Sequence, residues 1–490
     1  MKTQGMQHQL EGVALCLAAP MPGYAEFSEQ GTGKTWIFLA VAEKHYASGA
    51  IDGLLVVAPK GVHINWVKRQ IPKHLEVLHI AVWFSSNAGK KQTAEMEKKL
   101  YEPRADGEIA PLRILAINYD ALITKKGAAA VSRFLNATRA MAVADESHRI
   151  KNPRTGRSQA MYKLRTNTVF RYIGTGTPYD TPLDAFGQFE FIESGLLGTT
   201  SHRAFVAEYA ELVPEDSRLM DHVKKGIANK RFIPQIVQRD TLGRKKWRNL
   251  DKLRQLTAPL SHRVLKKDCL DLPEKIYQTH YFELTPELQR IYDDAEKQLR
   301  VDVGGSEVMF RKLNVDMKLQ QITSGFILHE GKVILLEDNP RLEALLEFIE
   351  DIEGKFIVWA RFIEEIEQIQ RALIARGIKS AIYYGATKDA ARMKVVDDFQ
   401  EGDLRAIVGQ TQAGGAGNDL YEAQNVIYYS NDWSLLNRSQ SEDRAHRVGT
   451  RHNVVYTDFA AAGTVDEQIA TALQQKEDVA ATILGDWRAG

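Results

Sequence analysis

The sequence predicts an α/β chain of two parallel-sheet lobes with helical insertions, and three observations predict it. Short apolar runs alternate with helical patterns over the first two hundred residues. After a long interval that lacks it, the same rhythm resumes near Lys355. A Gly31-Thr32-Gly33-Lys34-Thr35 segment stands between a short strand and an apolar helix, the setting in which backbone N–H groups cradle phosphate.

In chain order, the first lobe spans residues 1–272, with strands expected at 24–27, 54–58, 113–118, 140–144 and 171–175. From about 200 to 260 the segments turn polar and basic with helical periodicity, which predicts a helical insertion. The second lobe spans 273–490. It opens with helices at 285–300 and 315–327, within a helical insertion of about 285–330, and continues with strands at 356–359, 380–384, 406–409, 426–429 and 454–458. No sequence repeat links the halves, so the two-lobe expectation rests on the rhythm and on the motifs.

Composition narrows the class. Hydrophobic residues make up 44% and charged residues 26% without a biased tract, which excludes a disordered or fibrous chain. The apolar runs fall far short of the ~20 residues needed to cross a bilayer, and no signal-peptide pattern opens the chain, so a cytoplasmic protein without membrane contact is expected. The two cysteines, Cys16 and Cys269, exclude a disulfide framework and a cysteine-based zinc site. A net charge of +1 gives no global pull on nucleic acid, but Lys224 to Lys267 holds fourteen Lys or Arg against Asp240 and Asp251. Such a local stripe suits backbone tracking; a solvated helical face is the plainer alternative.

In the loop Ser28 to Thr35, the residues Gln30, Gly31, Thr32 and Gly33 wrap phosphates, Lys34 neutralises their charge and the Thr35 hydroxyl holds magnesium. Ser28 stands where such loops usually have glycine. A carboxylate ending a neighbouring strand should complete the site, and Asp145-Glu146 supplies it: Asp145 for magnesium, Glu146 to polarise the attacking water. Gln9, ahead of the loop, has an amide able to read an adenine edge.

At Asp145-Glu146-Ser147-His148 the chain resembles motif II of helicase superfamily 2, and the resemblance continues in order along almost the whole length. Asn65-Trp66 after Val56-Val57-Ala58-Pro59 is similar to motif Ia of the Swi/Snf branch, and Asn118-Tyr119-Asp120-Ala121-Leu122 to motif Ib. Gly174-Thr175-Gly176-Thr177-Pro178 resembles motif III. His262 to Asp268 before Leu272-Pro273 resembles the basic stretch that closes the first lobe. Ile357 to Phe362 is similar to motif IV, Gln412 to Leu420 to motif V, and Gln440 to Gly449 to motif VI, the most specific match. Arg69 stands where the family usually has glutamate, and Asp419 where asparagine is commoner.

The resemblance implies two RecA-like lobes forming a compact, monomeric motor that hydrolyses ATP with Mg2+ and moves along double-stranded DNA, forked or branched DNA included. It implies Gln9 as the adenine reader, and His148, Thr175 and Thr177 as the link between hydrolysis and lobe movement. Arg444 and Arg447, three residues apart and therefore expected on one helical face, are the implied arginine fingers. Gly415 and Gly417 permit close approach to a phosphate, and Lys60, Arg361 and Thr411 are candidate DNA contacts. Nearly every segment is assigned to the motor or its inserts, which fits a bacterial setting or a virus in its host's cytoplasm. Two alternatives stand beside the translocase: a strand-separating or strand-annealing helicase, and a non-hydrolysing nucleotide-gated DNA clamp or scaffold.

Overall fold

Apolar residues on every position of a run, as in 53–58, leave neither side of a strand suited to water, and such strands belong at the centre of a parallel sheet covered on both faces. The computed structural model has that arrangement twice. It describes residues 1–85, 89–102, 110–214, 235–240, 245–298, 300–303, 306–309, 315–384, 389–412 and 420–486. The chain divides into unit 1, Met1–Cys269 with Gln475–Gly490, and unit 2, Leu270–Gln474. The sequence predicts one lobe over residues 273–490, whereas the segment from Gln475 on groups with unit 1.

Unit 1 contains β1 (Gly23–Glu26), β2 (Gly53–Ala58), β3 (His79–Trp83), β4 (Leu112–Asn118), β5 (Ala140–Asp145), β6 (Phe170–Gly174), β7 (Leu212–Pro214), β8 (Gln235–Val237) and β9 (Ser261–His262). Seven of these form one parallel sheet in the order β3-β4-β2-β5-β6-β1-β9. Alternate residues feed two cores: Leu55, Val57, Leu115 and Ile117 face one, Leu54, Val56, Ile114 and Ala116 the other. Register aligns Glu26 with Gly174 and Gly174 with Asp145, so the loops after β1, β6 and β5 leave the sheet side by side. That edge is where parallel sheets bind ligands.

Unit 2 contains β10 (Lys275–Phe282), β11 (Arg300–Val303), β12 (Ser306–Met309), β13 (Phe326–His329), β14 (Lys332–Leu335), β15 (Lys355–Trp359), β16 (Ser380–Tyr383), β17 (Ala406–Gly409), β18 (Ala423–Tyr428) and β19 (Val454–Ala461). Its parallel sheet runs β10-β19-β18-β15-β17-β16. Trp359 is in register with Gly409 and Tyr428, which brings out the segments after β15, β17 and β18 together.

Among the described residues, both insertions add short antiparallel ribbons to the expected helices. The first has helices His202–Tyr209 and Leu250–Thr257 around the antiparallel ribbon β7-β8; the second has helices Pro286–Gln298 and Val315–Thr323 with hairpins β11-β12 and β13-β14. Strands of three or four residues are too short to show the alternation by which strands are recognised.

Candidate nucleotide site

The phosphate loop is the turn between β1 and the helix Lys34–Ala47. Gly31 and Gly33 have φ of 86° and 93°, the left-handed region that glycine enters without strain. A Cβ at Gly33 would also lie 2.1 Å from Gln9 Nε2. Gln9 is buried on the helix Gln7–Ala18; its Nε2 donates to the Thr32 carbonyl at 2.9 Å, and its Oε1 accepts from the Met6 N–H at 3.0 Å. His8 meets the same Thr32 carbonyl at 2.8 Å, a contact the sequence did not signal. The Lys34 ammonium donates to the Ser28 and Glu29 carbonyls at 2.8 and 3.0 Å. Thr35 follows, half-buried, as the second residue of its helix.

Ser28 has a partner that explains its departure from glycine. It is buried, its N–H donates to Glu26 Oε1 at 3.1 Å, and its hydroxyl accepts from the Val264 N–H at 3.1 Å. The basic stretch after β9 runs along this loop. The Phe27 N–H donates to the His262 carbonyl at 2.8 Å, the Glu29 N–H to the Val264 carbonyl at 3.0 Å, and the Lys266 N–H to Glu29 Oε2 at 2.6 Å. His262 Nδ1 lies 2.8 Å from the fully buried Glu26 carboxylate. Arg263 donates to the carbonyls of Phe27 (2.5 Å) and Gly176 (3.2 Å) and pairs with Asp486 at 2.7 Å. Elsewhere in the basic run, Lys252 pairs with Glu208 at 2.7 Å and Lys246 with Glu211 at 3.8 Å. Many of its described charges thus serve the unit itself; residues 224–234 and 241–244 lie outside the described residues.

At the end of β5, Asp145 Oδ2 accepts from the Trp66 indole N–H at 2.7 Å, and the Asp145 carbonyl accepts from the Tyr119 hydroxyl at 2.8 Å. Burial and the neighbouring Glu146 charge push the Asp145 carboxyl up to about 6, against the pull of the Trp66 bond and of Lys34. Glu146 takes a left-handed backbone with φ 56° and ψ 54°, a conformation that costs a residue with a Cβ about 1–2 kcal/mol. Its Oε2 lies 3.2 Å from Thr175 Oγ1 and 3.3 Å from His148 Nδ1, and those two atoms are 3.1 Å apart. The triangle is satisfied with the His148 proton on Nδ1. Burial alone would raise Glu146, but His148, Lys34 and Thr175 together outweigh it and hold the carboxyl below its ordinary value. Gln30 Nε2 reaches Glu146 Oε1 at 3.4 Å. The Thr177 N–H donates to Thr175 Oγ1 at 3.3 Å, while the buried Thr177 hydroxyl has no hydrogen-bond partner among the described residues.

Unit 2 corrects one expectation. Arg444 and Arg447 do not share a helical face, because the helix Leu435–Ala445 ends at Ala445 and Arg447 lies in the turn beyond. His446, at φ −105° and ψ 89°, breaks the helical path, and the Thr450 hydroxyl donates to the Arg447 carbonyl at 2.8 Å. Arg444 is buried; it donates to the Thr411 carbonyl at 3.3 Å and lies over the Trp359 ring at 5.4 Å. Arg361 is bonded to Gln320 and lies over the Phe362 ring at 5.3 Å, and Lys60 is exposed after β2. Gly415 and Gly417 lie outside the described residues.

The SNF2-related domain family matches residues 8–325, and the helicase conserved C-terminal domain family matches residues 340–449. An uncharacterized ATP-dependent helicase of Mycoplasma pneumoniae is 25% identical over 470 residues, covering 93% of this chain and 40% of that protein. The TATA-binding protein-associated factor MOT1 of Saccharomyces cerevisiae is 24% identical over 405 residues, covering 71% and 20%. The chain therefore spans two fifths or less of the length of these relatives. Among solved structures, a Sulfolobus solfataricus SWI2/SNF2 ATPase core in complex with dsDNA is 21% identical with a TM-score of 0.39, covering 99% of this chain and 94% of that one. With a family match over more than half of its residues, and a second family following in order, the chain belongs to the SNF2-related family, the Swi/Snf branch of helicase superfamily 2.

Proposed function

We propose that this chain is the motor of an ATP-hydrolysing Swi/Snf-type translocase, which moves on double-stranded DNA and remodels DNA or protein–DNA complexes. The observation that carries the reading is the closed triangle of Glu146, His148 and Thr175 beside the phosphate loop. The Glu146 carboxylate is ionised at neutral pH, and its two partners fix the direction in which it would meet an attacking water. The contact with Thr175 ties that direction to the loop after β6. Lys34 exchanges its two carbonyl partners for phosphate oxygens, and the N–H groups at the start of its helix face the same charge.

The residues fit magnesium. Thr35 and Asp145 offer oxygen donors, and no group of three or more His, Cys, Asp or Glu that could hold a metal occurs among the described residues. Mg2+ keeps several waters and shares phosphate oxygens rather than filling an all-protein cage. When bound it neutralises phosphate charge. Arg444 and Arg447 are proposed as the transition-state arginines supplied by unit 2, and Lys60, Arg361 and Thr411 as DNA contacts. We place the motor, as a monomer, in the cytoplasm; no helix among the described residues is long and apolar enough to cross a membrane.

ATP hydrolysis measured with and without duplex DNA at fixed salt tests the reading. Duplex DNA should raise the rate, and Lys34→Ala and Glu146→Gln should abolish it. Triplex displacement without strand displacement is expected. Equal hydrolysis with and without DNA overturns the proposal.

A further inference from the structure

We infer that Trp66 is a positioning residue for the magnesium carboxylate Asp145, with Tyr119 as its main-chain counterpart. The inference rests on the reading of unit 1 as a Mg-nucleotide site, and it joins that site to the two segments that follow β2 and β4.

Trp66 is 1% exposed and its ring packs in the core on one face of the first sheet. Packing explains the ring but not the direction of its N–H. A buried indole N–H needs an acceptor, and any backbone carbonyl would serve. Here it donates to a carboxylate oxygen at 2.7 Å, within the short range of charge-assisted bonds. One oxygen of Asp145 is thereby engaged and the carboxylate plane fixed. The hydroxyl of Tyr119, a residue 1% exposed, lies 2.8 Å from the Asp145 carbonyl and fixes the backbone of Asp145. Side chain and main chain of Asp145 are thus held from two different segments.

Those segments have a common origin. β2 and β4 are adjacent in the sheet, and Ala58 is in register with Asn118. Trp66 comes eight residues after the end of β2, past exposed Lys60, and opens a π-helical turn, Trp66–Gln70. Such wide turns are rare and recur at functional sites. Tyr119 directly follows β4 and opens the helix Tyr119–Leu122, which Asn118 caps through its bond from the Ala121 N–H at 2.8 Å. A shift of either segment therefore moves an atom bonded to Asp145. Partners that orient a metal ligand typically change metal affinity by about 10–100-fold when removed.

The test is Mg2+ titration of the binding of a fluorescent, non-hydrolysable ATP analogue to the full chain, with ATPase Mg2+ dependence measured in parallel. Trp66→Phe keeps a ring and loses the donor; Tyr119→Phe loses only a hydroxyl. The expected result is unchanged affinity without Mg2+, a half-saturating Mg2+ concentration raised about tenfold or more in Trp66→Phe, and a smaller rise in Tyr119→Phe. Excess Mg2+ should restore much of the ATPase rate. Should Trp66→Phe fail to fold, replacement of Trp66 by its benzothienylalanine isostere, which lacks only the N–H, decides the matter. Identical Mg2+ dependence in variant and wild type overturns this inference alone. Absence of Mg2+-dependent nucleotide binding in the wild type overturns the site reading and this inference with it.

Discussion

A half-buried carboxylate beside a second one is held against its preference, and Asp145 is raised to about 6 from 3.8 for that reason. A raised carboxyl contributes stability that is complete below the unfolded value and lost as pH rises through the folded one. Asp145→Asn should therefore raise the ligand-free melting temperature by a few degrees above pH 6 and leave it unchanged below pH 4, while abolishing ATPase; calorimetry across that range checks it. Gly33→Ala should do the opposite, since it combines a φ of 93° with a Cβ 2.1 Å from Gln9. It should cost about 1–2 kcal/mol of stability for the left-handed backbone alone, seen in denaturant titration, and displace Gln9 with loss of nucleotide binding. Lys34, Asp145 and Glu146 were legible because phosphate chemistry demands those groups after strands in a set order. Trp66 was not, since an indole that only packs and one that also donates to a carboxylate look alike in a sequence. Arg447 was misplaced because spacing by three carries no information about where a helix stops.

Among the elements, β10 and the helix Leu435–Ala445 are joined by one acid. Glu442 accepts from Arg438 at 2.7 Å, Tyr277 at 2.8 Å and Lys275 at 3.1 Å. Burial opposes its charge, but Lys275 and Arg438 outweigh that and hold it at about 2 instead of 4.5. A depressed carboxyl contributes stability present above the unfolded value and lost as pH falls through the folded one. Glu442→Gln should thus weaken unit 2 by roughly 3 kcal/mol at neutral pH, with the deficit disappearing between pH 4.5 and 2; chemical denaturation at pH 7 and pH 3 measures both limbs. The buried central strands of both sheets were readable as apolar runs. Lys275–Phe282 was not, because this edge strand exposes Ile276, Tyr277 and Tyr281 and lacks a continuous apolar stretch. The two residues of β9 are too few to show any periodicity.

For the molecule as a whole, two-unit architecture was foreseeable from the repeated strand-helix rhythm, but the return of Gln475–Gly490 to unit 1 was not, since it depends on contacts between residues far apart in sequence. Arg263 and Asp486, 223 positions apart, are one such contact, and Arg263 in turn holds the carbonyls of Phe27 and Gly176. Asp486→Asn should lower the stability of unit 1 by about 1–3 kcal/mol and weaken nucleotide affinity, both readable by thermal shift with and without ATP analogue. The strand β9 adds an order in time. Its partner β1 is made early, yet the Ser28 hydroxyl and the N–H and carboxylate of Glu29 find their partners only at Val264 and Lys266. A growing polypeptide therefore completes the contacts of the proposed nucleotide loop only once Lys266 has been synthesised, and ribosome-bound fragments ending before that point should not be retained on an ATP-affinity resin.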